Sequence, residues 1–369
     1  MNASSKIYIA GHTGLVGSAI TRALKNAGFN NLILRNPGEL DLRMQADVDK
    51  FFDKNKPEYV FLAAAKVGGI WVNNTQKANF IYDNLMIAAN VINAAKNAGV
   101  HKLLNLGSSC IYPKLAPQPL KEAFLLTGPL EETNDAYSVA KIAAIKLCKH
   151  FNEQFNTNFI SVMPTNLYGP NDNFNLETSH VLPAMIRKFH LAKLLKQRDF
   201  TAIRSDFMYY PVEADPTFDV EWLSDAEIEA FLNKIGVMAE QLSLWGSGNV
   251  FREFLHVDDL ANSLIFLMKN HNYKDLGEII NIGSGEDLKI KKLAQKIKDV
   301  VKFDGQIQFD NKKPDGAPKK LLDISRMSSL GWKPVINLDD GIKKSYQWYL
   351  NATQTMQKVQ TDALNSASL

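Results

Sequence analysis

Apolar residues along the first half of the chain follow two alternating rhythms. Short runs, "KIYIAG", "NLILR", "YVFLAAA" and "KLLNLGSS", are interleaved with longer stretches whose apolar positions recur every three to four residues, "GLVGSAITRALKNAG", "QADVDKFFDKN" and "NLMIAANVINAAKNAG". Strand and helix signals in that order are what βαβ units produce, because each crossover helix returns the chain to a parallel sheet. The pattern predicts an α/β fold with a doubly wound parallel sheet. Gly28 and Gly99 each stand just past a helical run, where a left-handed residue ends a helix.

After "FISVMPTNLYGP" the apolar segments shorten and loops such as "NDNFNLETSH" and "KKPDGAPKK" intervene. The change predicts a Rossmann-type domain over residues 1–170, with a returning segment near 245–265, and a smaller α/β substrate domain over 171–350. Residues 194–241 read as an insertion that need not touch the chemistry. Its "YYPVEADPTFDVEW" has little periodicity, while Ser224 and Glu227 form a capping box opening a helix that Gly236 closes. From Ala352 onward the chain is polar and rich in small residues, so 352–369 is expected to be a flexible tail.

Composition narrows the function classes. With 46% apolar residues in 369, the chain can build a substantial core. Its 42 basic and 39 acidic residues leave a net charge of +3, too little of one sign to argue for nucleic acid or a membrane surface as partner. Two cysteines make no disulfide framework, "MNASSKIYIAG" has no signal-peptide core, and no apolar run is long enough to span a bilayer. A cytoplasmic location is expected, with no metal.

"IYIAGHTGLVGSAI" sets Gly11, Gly14 and Gly17 directly after the first strand and at the opening of the first helix. A dinucleotide needs a tight turn there, close backbone approach to its pyrophosphate and helix amides aimed at negative charge. Glycines at turns also serve purely structural ends, and the strand-turn-helix context favours the nucleotide. The second strand, "NLILRN", ends in Arg35 rather than in the acidic residue that holds a ribose 2′-hydroxyl. Its guanidinium suits a 2′-phosphate. An ordinary exposed arginine explains it equally well.

In "NDAYSVAKIAAIKL", Tyr137 and Lys141 are four residues apart, so a helix brings them to one face, where the ammonium can favour the tyrosinate. Alone, such a pair is usually a solvated face. It gains force from the glycine turn and from "LGSS" at a strand end, where α/β folds gather ligands. Cys110, in "NLGSSCIYP", remains open on spacing alone between a packed thiol and a reactive one.

The glycine turn, strand-end Ser108 and YxxxK resemble the extended short-chain dehydrogenase/reductase family, which acts on nucleotide sugars. Longer stretches, "LAAAKVGGI", "LGSSCIYPK", "VMPTNLYGPNDNF", "SHVLPAMIRKFH", "WGSG", "REFLHVDDL" and "KPDGAPKKLLD", resemble its GDP-L-fucose synthase branch over nearly the whole chain except the insertion and tail. The resemblance implies NADP(H) as cofactor and a GDP-linked 4-keto-6-deoxy sugar as substrate, epimerised at C3 and C5 and reduced at C4. Cys110 and His180 would be the epimerising base and acid. Tyr137 would donate the proton of the reduction, with Lys141 lowering its pKa and Ser108 bonding the oxygen. Cofactor contacts are implied at Gly11, His12, Thr13, Gly14, Leu15, Val16, Gly17, Arg35, Asp41 and Leu42. Further ones fall at Ala63, Ala65, Leu106, Gly107, Ser108, Ser109, Tyr137, Lys141, Pro164, Thr165, Asn166, Leu167 and His180. Lys188, Trp245, Arg252, Asp315 and Lys320, all taken as second-domain residues, would hold the nucleotide sugar. Thr13 and Pro37 replace basic residues of NADPH-preferring relatives, which leaves the 2′-phosphate to Arg35. A GDP-4-keto-6-deoxyheptose would present the same reacting atoms as the hexose. "SSCIY" lacks the acidic pair of dehydratases in the family, and the intact Ser108, Tyr137 and Lys141 argue against a non-catalytic NADP-binding sensor. The apolar runs "NLMIAANVINAA" and "VAKIAAIKLC" would pair across a two-fold axis in a homodimer.

Overall fold

Ile7, Tyr8, Ile9 and Ala10 are all buried, as a strand covered by helices on both faces must be. A computed structural model describes residues 1–212, 223–313 and 315–367. Its contacts divide the chain into two units, Met1–Asn171 with Arg252–Asp287 and Lys319–Asn337, and Asp172–Phe251 with Leu288–Pro318 and Leu338–Leu369. The first unit thus takes back a longer stretch than 245–265, and takes back a second segment that the hydrophobic pattern did not assign.

Six strands of the first unit form a parallel sheet: β1 (Ile7–Ala10), β2 (Leu32–Ile33), β3 (Tyr59–Leu62), β4 (Lys102–Leu106), β5 (Phe159–Pro164) and, later in the chain, β9 (Ile280–Ile282), in the order β2-β1-β3-β4-β5-β9. The chain steps outward from β1 to β2 and then back to β3, so the direction reverses beside β1. Ligands of such sheets bind outside the strand ends at that reversal. Alternate residues of β1 face different layers. Ile7 and Ile9 pack with Ile20 and Leu24 of α1 (Leu15–Asn26) and Leu260 and Leu264 of α9 (Val257–Asn270). Tyr8 and Ala10 pack with α2 (Gln45–Asn55), α4 (Lys77–Asn97) and α5 (Asp135–Phe155), through Phe52, Val91 and Ala144. Cys148 lies in this second layer, where burial pushes its thiol up to about 12, and it belongs to the core. Gly28 and Gly99 take left-handed φ values of 83° and 70° after α1 and α4. The unit also holds α3 (Ile70–Thr75), α10 (Tyr273–Leu276), α12 (Ser325–Ser329), and β6 (Asn166–Tyr168) paired in parallel with β8 (Phe251–His256).

The second unit contains α6 (Val181–Lys196), α7 (Phe200–Tyr209), α8 (Asp225–Lys234), β7 (Gln241–Trp245), the end of β10 (Asp287–Lys289), α11 (Ile290–Val301), β11 (Gln306–Asp310) and α13 (Leu338–Ala367). β7 and β11 pair in parallel, and α6 packs on α11 and α7. The insertion supplies α7 and α8, while 213–222 of its aperiodic stretch lie outside the described residues. The capping box at Ser224 and Glu227 is formed, and Gly236 has φ 82°. α7 is held by a fully buried ion pair: Arg187 Nε donates to Asp206 Oδ1 at 2.8 Å, and the remaining guanidinium nitrogens donate to the Phe174 and Tyr210 carbonyls. α13 continues through Ala367, past the change of composition at Ala352. Ile342, Tyr346, Tyr349 and Thr353 form a buried stripe at helical spacing, and that stripe carries the helix past Ala352.

Candidate active site

The glycine turn leaves room for backbone alone. A Cβ on Gly17 would stand 2.0 Å from the Gly11 carbonyl oxygen, and one on Gly11, whose φ is 82°, would stand 2.9 Å from the backbone of Ala64. Gly14 caps α1 without a side chain, and the helix has no acidic residue in its first turn. The positive end of the helix dipole is therefore uncompensated, which suits a pyrophosphate. Nδ1 of His12 is buried here without a hydrogen-bond partner. These features fit a dinucleotide. Thr13 is exposed, and Leu15 and Val16 are partly buried.

Arg35, just beyond β2, donates to the Leu34 carbonyl at 2.7 Å with its guanidinium 6.0 Å from the Phe51 ring centroid. The Asp41 carboxylate accepts from Arg43, which holds its pKa down. Asn90 donates to the Leu42 carbonyl. Ala63 and Ala65 follow β3, Pro164 ends β5, and Thr165, Asn166 and Leu167 lead through β6.

At the end of β4, Gly107 admits no side chain, because a Cβ would meet Met163 at 2.2 Å. Ser108 begins a single 3-10 turn, Ser109–Ile111, and its hydroxyl accepts from the Cys110 amide at 3.3 Å. The same hydroxyl stands near the Tyr137 phenol and draws its pKa down. Nζ of Lys320 and Nδ2 of Asn134 each donate to the Cys110 sulfur at 3.4 Å. Burial pushes this thiol up, but the Lys320 charge, the Ser108 hydroxyl and the nearby Arg252 outweigh it, and the pKa lies below that of a free thiol. The turn is tied to α5 by Ser138, whose hydroxyl donates to the Cys110 carbonyl at 2.9 Å.

Tyr137 and Lys141 share one face of α5. Lys141 donates to the Leu106 carbonyl at 2.7 Å, and its ammonium is 5.7 Å from the phenol's ring centroid. Burial drives the Tyr137 pKa up, the Cys110 charge adds to the rise, and only Ser108 opposes them. Burial alone pushes Lys141 down to about 8. With burial and the Cys110 charge outweighing Ser108, Tyr137 is held protonated, the form a proton donor requires.

Over residues 7–210 and 223–283 the chain matches the NAD dependent epimerase/dehydratase family. The chain belongs to that family. It is 50% identical to a putative GDP-L-fucose synthase 2 of Arabidopsis thaliana over 355 residues, 96% of this chain and 94% of the relative. It is 44% identical to the GDP-L-fucose synthase of Escherichia coli K12 over 351 residues, 94% and 96% of the two chains. Among solved structures, a GDP-D-glycero-L-gluco-heptose synthase from Campylobacter jejuni, in the presence of NADPH, superposes with a TM-score of 0.86 at 42% identity, covering 95% of this chain and 99% of that one.

For this member of the epimerase/dehydratase family, two of the five expected second-domain residues are placed elsewhere. Arg252 and Lys320 belong to the first unit, at the thiol. The return of 245–265 already brought Arg252 back to the first domain, but Lys320 was set apart from Cys110 because the 319–337 segment returns to that unit only in three dimensions. His180 is exposed and precedes α6 in the second unit. There too, burial pushes Lys188 down to about 8 and its ammonium donates to the Ile235 carbonyl at 3.1 Å, at the end of the inserted α8. The insertion thus reaches an expected substrate residue. Exposed Trp245 has the Lys313 ammonium 5.0 Å from its ring centroid, and the Asp315 carboxylate accepts from the Ser247 amide and hydroxyl. Asn134 was missed; its one signal was its place just before the helix that carries Tyr137.

Proposed function

We propose that the chain carries out NADPH-dependent 3,5-epimerisation and 4-keto reduction of GDP-4-keto-6-deoxy-D-mannose to GDP-L-fucose. The observation that carries this reading is the Cys110 sulfur, which accepts from Lys320 and Asn134 at 3.4 Å and is so held toward its anion, beside a Tyr137 phenol that burial holds protonated. A 4-keto group acidifies the hydrogens at C3 and C5. Epimerisation needs a base for those hydrogens, and reduction needs an acid for the oxygen. The Cys110 thiolate fills the first role, and the resemblance gives His180 the return of the proton from the opposite face. Tyr137 delivers its proton to O4 while Ser108 holds that oxygen. The nicotinamide supplies hydride to C4 when bound. Gly11, Gly14, Gly17 and the α1 amides hold its pyrophosphate, Arg35 its 2′-phosphate and Lys141 its ribose. Lys188, Trp245, Asp315, Arg252 and Lys320 take the GDP moiety.

A heptose in place of the hexose is the second reading, favoured by the insertion that engages Lys188 and by the likeness to the Campylobacter heptose synthase. A substrate panel decides between them. The purified enzyme should oxidise NADPH with a GDP-4-keto-6-deoxy sugar and give a product inverted at C3 and C5 by NMR, and lack of turnover with both hexose and heptose defeats the proposal.

The enzyme is proposed to act in the cytoplasm. Among the described residues no helix is long and apolar enough to cross a membrane. A homodimer is also proposed, because α4 and α5 pack side by side and leave Tyr82, Val139 and Phe155 exposed. The solution mass at micromolar concentration should be twice 41.3 kDa; a monomeric mass refutes the dimer.

A further inference from the structure

Glu253 has no solvent exposure. A carboxylate taken wholly out of water is tolerated only where donors are aimed at it. Here they come from two separate segments. Oε1 accepts from the Gly285 amide at 2.8 Å and the Ser284 hydroxyl at 3.4 Å, and Oε2 accepts from the Leu322 amide at 2.9 Å. Gly283 makes the space, since a Cβ there would lie 2.2 Å from Oε1. On the other side of the residue, its carbonyl accepts from Asn166 Nδ2 at 2.8 Å, which fixes the strand itself.

These anchors bear on the thiol. Arg252 is the preceding residue in β8, and Lys320 stands two residues before Leu322. The charged or titratable groups that face Cys110 are Lys320, Arg252 and the Tyr137 phenol. Both cations are therefore carried by backbone that the Glu253 carboxylate and carbonyl hold. Neither contact is made by Glu253 itself. We propose that Glu253 is a positioning residue for the chemistry at Cys110: its buried carboxylate fixes the two backbone segments that present Arg252 and Lys320 to the sulfur. The proposal rests on the reading of Cys110 as the epimerising base, but it can be tested without sugar.

The experiment follows alkylation of Cys110 by iodoacetamide across pH in the full-length protein, resolved by peptide mass spectrometry so that Cys148 is read separately. In Glu253→Gln one acceptor oxygen remains for Gly285 while an amide group confronts the Leu322 amide, donor against donor. The midpoint of Cys110 alkylation should rise by roughly half to one pH unit, with the rate near neutrality falling roughly three- to tenfold. NADPH affinity should stay within about twofold, because the glycine turn is untouched. Lys320→Met should raise the midpoint more, and the double variant should exceed Lys320→Met by clearly less than the full Glu253→Gln shift, since only the share that Glu253 exerts through Arg252 remains. An unmoved midpoint in folded Glu253→Gln, or additive shifts in the double variant, overturns the proposal. Should Glu253→Gln fail to fold, Glu253→Asp, which keeps the charge and shortens the reach, is read by the same midpoint. Loss of sugar turnover in a wild-type protein with a normal alkylation profile would instead overturn the epimerase/reductase reading.

Discussion

Cys110→Ser should lose solvent-deuterium incorporation at the carbons flanking the keto group by roughly 10²–10⁴-fold, the usual worth of a positioned base. The cause lies in what surrounds the sulfur. Lys320 and Asn134 donate to it at 3.4 Å and Arg252 adds its charge, so the thiolate is favoured against the cost of burial. Those donors act on an acid already near the neutral range. A serine hydroxyl begins several units higher, and the same cations cannot bring it within reach of deprotonation. Exchange is measured in D2O without reduced cofactor, so that reduction cannot drain the intermediate. Cofactor affinity, set by the turn from Gly11 to Gly17, should not change. In the wild type the exchange rate should fall as pH drops through the lowered thiol pKa, because the base is lost on protonation. Exchange by Cys110→Ser at the wild-type rate would return the thiol to an inert packed side chain.

What the sequence disclosed was what is local. The glycine turn after β1, the bounds of α2 at Gln45–Asn55 and the capping box at Ser224 all depend on neighbours within a few residues, and each is found where the pattern put it. The site's electrostatics depend on distant residues. Lys320 reaches Cys110 across a separation of 210 positions, and nothing in "KKPDGAPKK" distinguishes the lysine that faces sulfur from Lys313 at the Trp245 ring or Lys319 at Asp287. The surroundings of the Tyr137 phenol were illegible in the sequence for the same reason. Four-residue spacing correctly put Lys141 on its face of α5, but burial and the direction of the ammonium, toward the Leu106 carbonyl, set the proton affinity. The helical period of α13 is set before Ala352 by the buried stripe of Ile342, Tyr346, Tyr349 and Thr353, and the polar composition beyond it gives no sign of where the helix ends.

Tyr137→Phe should show the opposite pattern to Cys110→Ser, with deuterium exchange retained and NADPH oxidation slowed by roughly 10²–10⁴-fold. Removing the hydroxyl takes away the proton that must reach O4 as hydride reaches C4. The thiol keeps its cations, and its own pKa should not rise, because the group lost is not among those that stabilise the thiolate. Substrate and cofactor binding should change little, so the loss should appear in kcat rather than KM. Ser108 is the control that tells proton donation from packing. Its hydroxyl faces both Tyr137 and Cys110, so Ser108→Ala should impair exchange and reduction together, whereas Tyr137→Phe should separate them. The measurement is NADPH oxidation followed by absorbance beside exchange followed by NMR, on the same preparation. If Tyr137→Phe lost both activities equally, one proton inventory would serve both steps, and the division of labour between thiol and phenol would be wrong.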